Sequence, residues 1–306
     1  MNSNIWLLTF ADAISIATTL ILASLGAILT ERSGVINLGV EGMLLMGAVT
    51  GFVVADSSGN LWLALLVSVL VGVVLSAVHA ALTIGLRANQ IVSGLAMVIF
   101  GTGLSQFIGK PVEGLPRPVI IRPLNFGALS DIPILGPVVF GHDLFTYLTW
   151  LLAAGLSFYL HRTRPGLLLR ATGDAPATVD AQGGSVARIR WMHVIAGGAL
   201  MSFAGAWYMF ARAAAWSQAA TTNGIGWIAL ALVVFASWRP LRAIGGAVLF
   251  GFTLQAEQIS ILPPTIVAMF PYLVTLAVLV ALSTPRARRL LGAPKLLGQP
   301  FVRDER

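Results

Sequence analysis

Uncharged apolar stretches of about twenty residues recur along the whole chain, and that is the length an α-helix needs to cross the hydrocarbon core of a bilayer. They lie at about 13–30, 37–55, 61–86, 90–109, 144–160, 191–211, 224–238, 243–262 and 265–283. Composition agrees: 57% of the residues are apolar and only 10% are charged, whereas an ordinary soluble domain carries roughly 25% charged residues to clothe its surface. The chain therefore reads as an all-α integral membrane protein. We expect a polytopic helical bundle of about nine spans with broken helices, forming one transmembrane domain over 1–306.

Basic residues set the orientation. Segment 161–190 holds Arg162, Arg164, Arg170, Arg188 and Arg190, and the tail of about 284–306 holds Arg286, Arg288, Arg289, Lys295, Arg303 and Arg306. Both belong on the cytoplasmic side by the positive-inside rule. An even number of spans separates them, so the two assignments agree. Counting backwards puts loop 110–143 and the N-terminus outside, and no Lys or Arg precedes Arg32. The first apolar run then reads as a retained span, because a cleavable leader would begin with a basic region. The chain is expected to cross a membrane many times, with a cytoplasmic C-terminus. Six prolines in the outer loop, Pro111, Pro116, Pro118, Pro123, Pro133 and Pro137, predict an ordered but irregular cap.

Several residues break the apolar pattern. Segment 31–42 places Gly34, Gly39 and Gly42 among polar groups between two apolar runs. Non-helical backbone at membrane depth is tolerated only where protein buries it or where it lines a cavity. Asn37 and Glu41 then offer hydrogen bonds beside a solute pathway; the alternative is a tight cytoplasmic turn. Glu257, flanked by Gln255 and Gln258, either lines the pathway or bonds a neighbouring helix, since a carboxylate in a span must be paired. His79 and His193 are expected to make structural hydrogen bonds, and Asp12 to sit at the interface. Small residues through 196–206, with Gly245, Gly246 and Gly251, suit close helix packing in lipid.

Loop 161–190 is the most informative polar piece. Asp174 is expected to cap a short helix, with Pro176 in its first turn and Gly183-Gly184 ending it. Such a helix suits docking to another protein, or serves as a plain connector. Other classes lose support. The charge of +7 is not a basic patch interleaved with aromatics, so nucleic acid is not expected as a partner. Neither lysine sits in a phosphate-binding loop, no HExxH or GxSxG occurs, and there is no cysteine; we assign no catalytic residue, no metal ligand and no bound cofactor.

Four blocks carry a resemblance. They are the run from Glu31 through Val40-Glu41-Gly42 to Ala48, the stretch Leu86–Gly94 with Gly101 and Gly103, the segment Gly166–Ala177, and Gly224-Ile-Gly-Trp-Ile-Ala-Leu-Ala231. Together they resemble the membrane permease subunits of bacterial ABC importers for nucleosides and simple sugars, related to the ribose permeases, over nearly the whole chain. The first block is similar to the nucleoside branch; sugar permeases carry an aspartate-containing version where this chain has Asn37. The chain departs from the family at Asp174-Ala175, at Ile225, and at Ala236-Ser237, where a glycine is frequent. The resemblance implies a translocation pathway for nucleosides or related nucleobase compounds, without an ATPase site of its own. It implies a partner ATPase that holds ATP and Mg²⁺ and docks on a coupling helix around Gly173, Asp174, Pro176, Ala177, Asp180 and Gly183. It further implies a second, different permease chain and an extracytoplasmic substrate-binding lipoprotein. The rival readings are a permease for sugars such as ribose or galactose and, from another class, a proton-coupled secondary transporter.

Overall fold

The computed structural model describes residues 3–217, 221–222, 224–256, 262–267, 269–282 and 292–302. Its helices are α1 (Ser3–Arg32), α2 (Val40–Ser58), α3 (Leu61–Ala80), α4 (Gln90–Gly109), α5 (Leu144–Arg162), α6 (Arg164–Asp174), α7 (Pro176–Ala181), α8 (Val186–Ala211), α9 (Ile225–Phe235), α10 (Pro240–Gln255), α11 (Pro264–Val267) and α12 (Phe270–Leu282). A single isolated bridge, Pro116 with Ala215, is the only extended pairing among the described residues.

Local sequence explains most helix starts. Asn60, Asn89 and Asp143 each accept two backbone N–H groups from the first turns of α3, α4 and α5. Thr163 and Ser185 do the same with one N–H for α6 and α8. These caps satisfy donors that a helix leaves unpaired at its start. Gly59, at φ +64°, ends α2 in the left-handed conformation that glycine adopts without steric cost.

Helix α1 is the axis of the bundle. It is almost wholly buried, and α8, α10, α9 and α5 pack around it. The stripe Gly197, Gly198, Ser202 and Gly205 on α8 brings three helices to near backbone contact. Gly197 meets Gly26 of α1, Gly198 meets Ser76 and Gly72 of α3, and Gly205 meets the Leu44 carbonyl of α2. A Cβ at Gly205 would overlap that carbonyl. The outward faces carry large apolar side chains, including Trp62, Leu66, Leu70 and Val74 on α3 and Ile99, Phe100 and Phe107 on α4. A surface that apolar suits lipid or another membrane subunit.

Among the described residues, six helices are long and apolar enough to cross a membrane, against about nine expected. The difference lies in the C-terminal third. The expected spans 224–238, 243–262 and 265–283 coincide with helices of only 11, 16 and 13 residues. Ser237 and Trp238, at φ of +52° and +54°, form the turn between α9 and α10, and residues 257–261, 268 and 283 of the other two expected spans lie outside the described residues. The 161–190 loop also differs from expectation. It folds as two helices, α6 and α7, and Arg188 and Arg190 belong to the first turns of α8. Asp174 does not cap α7, because α6 runs through it and Ala175 takes the capping position without a side-chain bond. Pro176 does open α7, and Gly183 at φ +82° follows its end.

Loop 113–143 is irregular but ordered. Its backbone pairs with the end of α8 and the residues after it: Gly114 N–H to Trp216 O, Arg117 N–H to Ala214 O, and Ile121 N–H to Phe210 O.

Candidate functional site

The link between α1 and α2, residues 33–39, is not helical yet is buried at Ser33, Gly34, Val35, Asn37 and Gly39. Backbone groups buried in lipid must find partners, and here surrounding elements supply them. The Ile36 N–H donates to Gln90 Oε1 at 2.7 Å, and His79 Nε2 lies 2.9 Å from the Ile36 carbonyl. Arg190 Nε donates to the Ser33 carbonyl at 3.1 Å, and the Gly298 N–H donates to the Gly34 carbonyl at 3.1 Å. Asn37 Oδ1 accepts the Gly39 N–H at 2.8 Å and closes the turn that starts α2. Four elements distant in sequence thus hold one irregular segment.

Glu41 lies one turn further, 8% exposed. One of its carboxylate oxygens accepts from the Thr222 hydroxyl and from the Gly224 N–H at 3.3 Å; the other accepts from the Gly226 N–H at 2.7 Å. The carboxylate therefore sits at the N-terminus of α9, where free N–H groups and the positive end of the helix dipole favour an anion. Glycine at 226 is required for this approach: a Cβ there would lie 2.6 Å from the Glu41 Cα. Gly42, on the same turn, packs against α4, where a Cβ on Gly101 would lie 2.7 Å from its Cα. Two sequence blocks nearly two hundred residues apart are joined by one carboxylate.

Glu31 and Arg32 escaped sequence reasoning. Glu31 accepts from the Trp238 indole N–H at 2.6 Å, and Arg32 donates to the Trp238 carbonyl through Nε at 3.1 Å and Nη2 at 2.9 Å. They clamp the left-handed Ser237–Trp238 turn, a conformation costing about 1–3 kcal/mol at each non-glycine residue. The departure from glycine at 236–237 was the one sequence sign of this strain. Arg190, 2% exposed, was counted as a loop charge but proves to be a buried tie to the link.

The remaining predicted residues fall in two places. Gly34 (φ +91°), Gly39 and Gly42 all belong to the link or its junction with α2. At the α6–α7 elbow, Gly173 and Pro176 are buried, Asp174 and Asp180 half-buried, and Ala177 and Gly183 exposed. Glu257 lies outside the described residues. His79 and His193 are each hydrogen-bonded within the protein at both ring nitrogens, His79 to Ser93 and Ile36, His193 to Tyr159 and Ile189. Asp12 pairs with Arg212 at 2.9 Å.

A bundle whose described residues include six helices long and apolar enough to cross a membrane, packed around a buried irregular link, defines a multi-pass membrane protein. Residues 9–279 match the family described as the permease component of the branched-chain amino acid transport system, and the chain belongs to that family. It is 37% identical to the putative glucose ABC transporter permease TsgC13 of Haloferax volcanii, over 94% of this chain and 95% of the relative. It is 33% identical to the guanosine ABC transporter permease NupQ of Bacillus subtilis, over 95% of each chain. Against the nucleoside ABC transporter permease NupC of Lactococcus lactis the identity is 32%, over 96% of each chain. No solved structure matches the chain. Like these relatives, the chain is a permease subunit.

Proposed function

We propose that this chain forms the translocation pathway of an ATP-driven ABC importer for nucleosides or related nucleobase compounds. The observation that carries the reading is similarity over about the full length of permeases named for guanosine and for nucleosides. A sugar substrate is the second reading, favoured by the similarity to the putative glucose permease. In either case a partner ATPase holds ATP and Mg²⁺, an extracytoplasmic binding protein delivers solute, and a second, different permease chain completes the pathway. The N-terminus faces outward and the C-terminus the cytoplasm, in keeping with the basic residues around the α6–α7 elbow.

Within this scheme the buried Asn37 and Glu41 support the pathway by holding the link and α9, with Gly34, Gly39 and Gly42 allowing the close packing. Glu257 remains a proposed pathway residue. The exposed side of α7, with Ala177 and Gly183, meets the ATPase, while Gly173, Asp174, Pro176 and Asp180 transmit its movement inward. The test is mild-detergent purification of the tagged chain from its native membrane, followed by uptake of tritiated guanosine and of labelled glucose in proteoliposomes. Co-purification of an ATPase, a second permease and a binding protein, with ATP-dependent guanosine uptake, is expected. Uptake of glucose alone would move the reading to sugars. Transport by the chain alone, abolished when the proton gradient is collapsed, would overturn it in favour of a proton-coupled carrier.

A further inference from the structure

Residues 292–302 contain turns but no helix, yet they are held at both ends by parts of the protein that perform different tasks. On one side the strand of chain is tied to the α6–α7 elbow. The Leu296 N–H donates to the Gly173 carbonyl at 3.1 Å, and the Lys295 N–H donates to the Asp174 carboxylate at 3.1 Å. On the other side it is tied to the α1–α2 link and its supports. The Gly298 N–H donates to the Gly34 carbonyl at 3.1 Å, Arg190 Nη1 donates to the Gln299 carbonyl at 3.2 Å, and Arg32 Nη1 donates to the Gly292 carbonyl at 2.7 Å. Apolar anchoring accompanies these bonds: Leu297 and Phe301 pack against the main core, and Pro294 is buried. Gly298 adopts φ +81°, and a Cβ there would lie 2.8 Å from the Ile36 side chain.

We propose that this tail is a coupling strap, which makes movement of the elbow and movement of the link a single event. The inference rests on the reading of the elbow as the ATPase contact and adds to it the route by which that contact reaches the pathway. The geometry supports transmission because a hydrogen bond weakens steeply beyond its ordinary 2.7–3.2 Å range. An elbow displaced by about 1 Å must therefore break its two bonds to the strap, break the strap's three bonds to the link and its supports, or carry strap and link along. The link leads directly into α2, and Glu41 on α2 holds the start of α9, so the displacement continues into the membrane. Coupling of this kind needs an element whose arrangement both sites bias, and the strap is bonded to both the elbow and the link, adding to the direct packing of Gly173 against Arg32 and Gly34.

The test uses the transporter purified with its partners. Two variants are compared with the parent: deletion of 292–306, and Gly298→Val, which opposes the left-handed backbone and crowds Ile36 while leaving the elbow intact. ATPase co-purification, ATP hydrolysis and ATP-dependent uptake of tritiated guanosine and labelled glucose are measured on each. The expected result is retained ATPase binding and hydrolysis with a fall of about tenfold in uptake per ATP hydrolysed, within the usual range of coupling free energies. A purely structural tail would lower uptake and hydrolysis together and leave their ratio unchanged, which would overturn the proposal. Parental uptake in either assembled variant would also overturn it, and loss of the ATPase from both would reassign the tail to assembly. Failure of the parent chain to retain any ATPase would instead sink the importer reading, so the two failures are separable.

Discussion

Replacing Glu41 by glutamine tests the junction on which the architecture turns. The carboxylate accepts three donors with two oxygens: Thr222 and Gly224 on one, Gly226 on the other. Glutamine has one oxygen, so whichever way it turns its amide group faces an N–H or hydroxyl that can no longer donate. Leaving one buried donor unpaired costs about 1–3 kcal/mol. Removing the negative charge from the start of α9 adds about 0.3–1 kcal/mol. The combined cost is about 1–4 kcal/mol, with the lower end favoured because hydrogen bonds between membrane helices average only about 0.6 kcal/mol. For a chain of this size that corresponds to a fall of roughly 2–6 °C in Tm. Unfolding in detergent is readily followed by intrinsic fluorescence, since the chain contains eight tryptophans, among them Trp227 beside the Gly226 contact. Guanosine uptake should fall in parallel, because α9 loses its attachment to α2. A Tm within about 1 °C of the parent, with unchanged uptake, would refute the anchoring role.

Pro176→Ala and Gly173→Ala disturb the elbow where it is buried, and in the purified complex each should lower uptake about tenfold while the ATPase still co-purifies; normal uptake by both would remove the coupling assignment. Gly205→Val places a Cβ into the Leu44 carbonyl, and overpacking typically costs about 1–3 kcal/mol or more, so aggregated material on size-exclusion chromatography is expected, against a monodisperse parent. His142, in the loop before α5 and 4% exposed, has its pKa pushed below the ordinary 6.5, chiefly by burial, against the opposing effects of the Val138 carbonyl and Asp143. The folded loop then binds fewer protons than the unfolded one, so its stability contribution is complete above about pH 6.5 and is lost as pH falls toward the lower folded value. Limited proteolysis within 113–143 should accelerate below about pH 6, and His142→Gln should flatten that dependence; identical profiles would refute it.

The helical class, the membrane environment and most helix boundaries were legible because they follow from local rules. Apolar runs of spanning length and small residues along 196–206 act through neighbours in sequence or through one helix face. The residues expected to matter at 31–42 were also legible, since polar groups and glycines at membrane depth are costly without a purpose. What those residues do was not. Glu41 is expected from sequence to offer hydrogen bonds beside a solute pathway, and nothing local announces that its partners lie at 222–226. Arg190 reads in sequence as a loop charge and Arg32 is not singled out, because the carbonyls they bind belong to chain more than a hundred residues away. The count of about nine spans is not confirmed, since six helices among the described residues are long and apolar enough to cross a membrane. The run through 224–238 is continuous in hydropathy, but the clamp from Glu31 and Arg32 holds Ser237 and Trp238 in a left-handed turn. Sequence alone therefore determined what the chain is made of and where it resides, through short-range periodicity and the cost of polar groups in lipid. Only tertiary structure decided how the link, the elbow, α9 and the tail are joined, because hydrogen bonds between distant segments depend on where folding brings their backbones together.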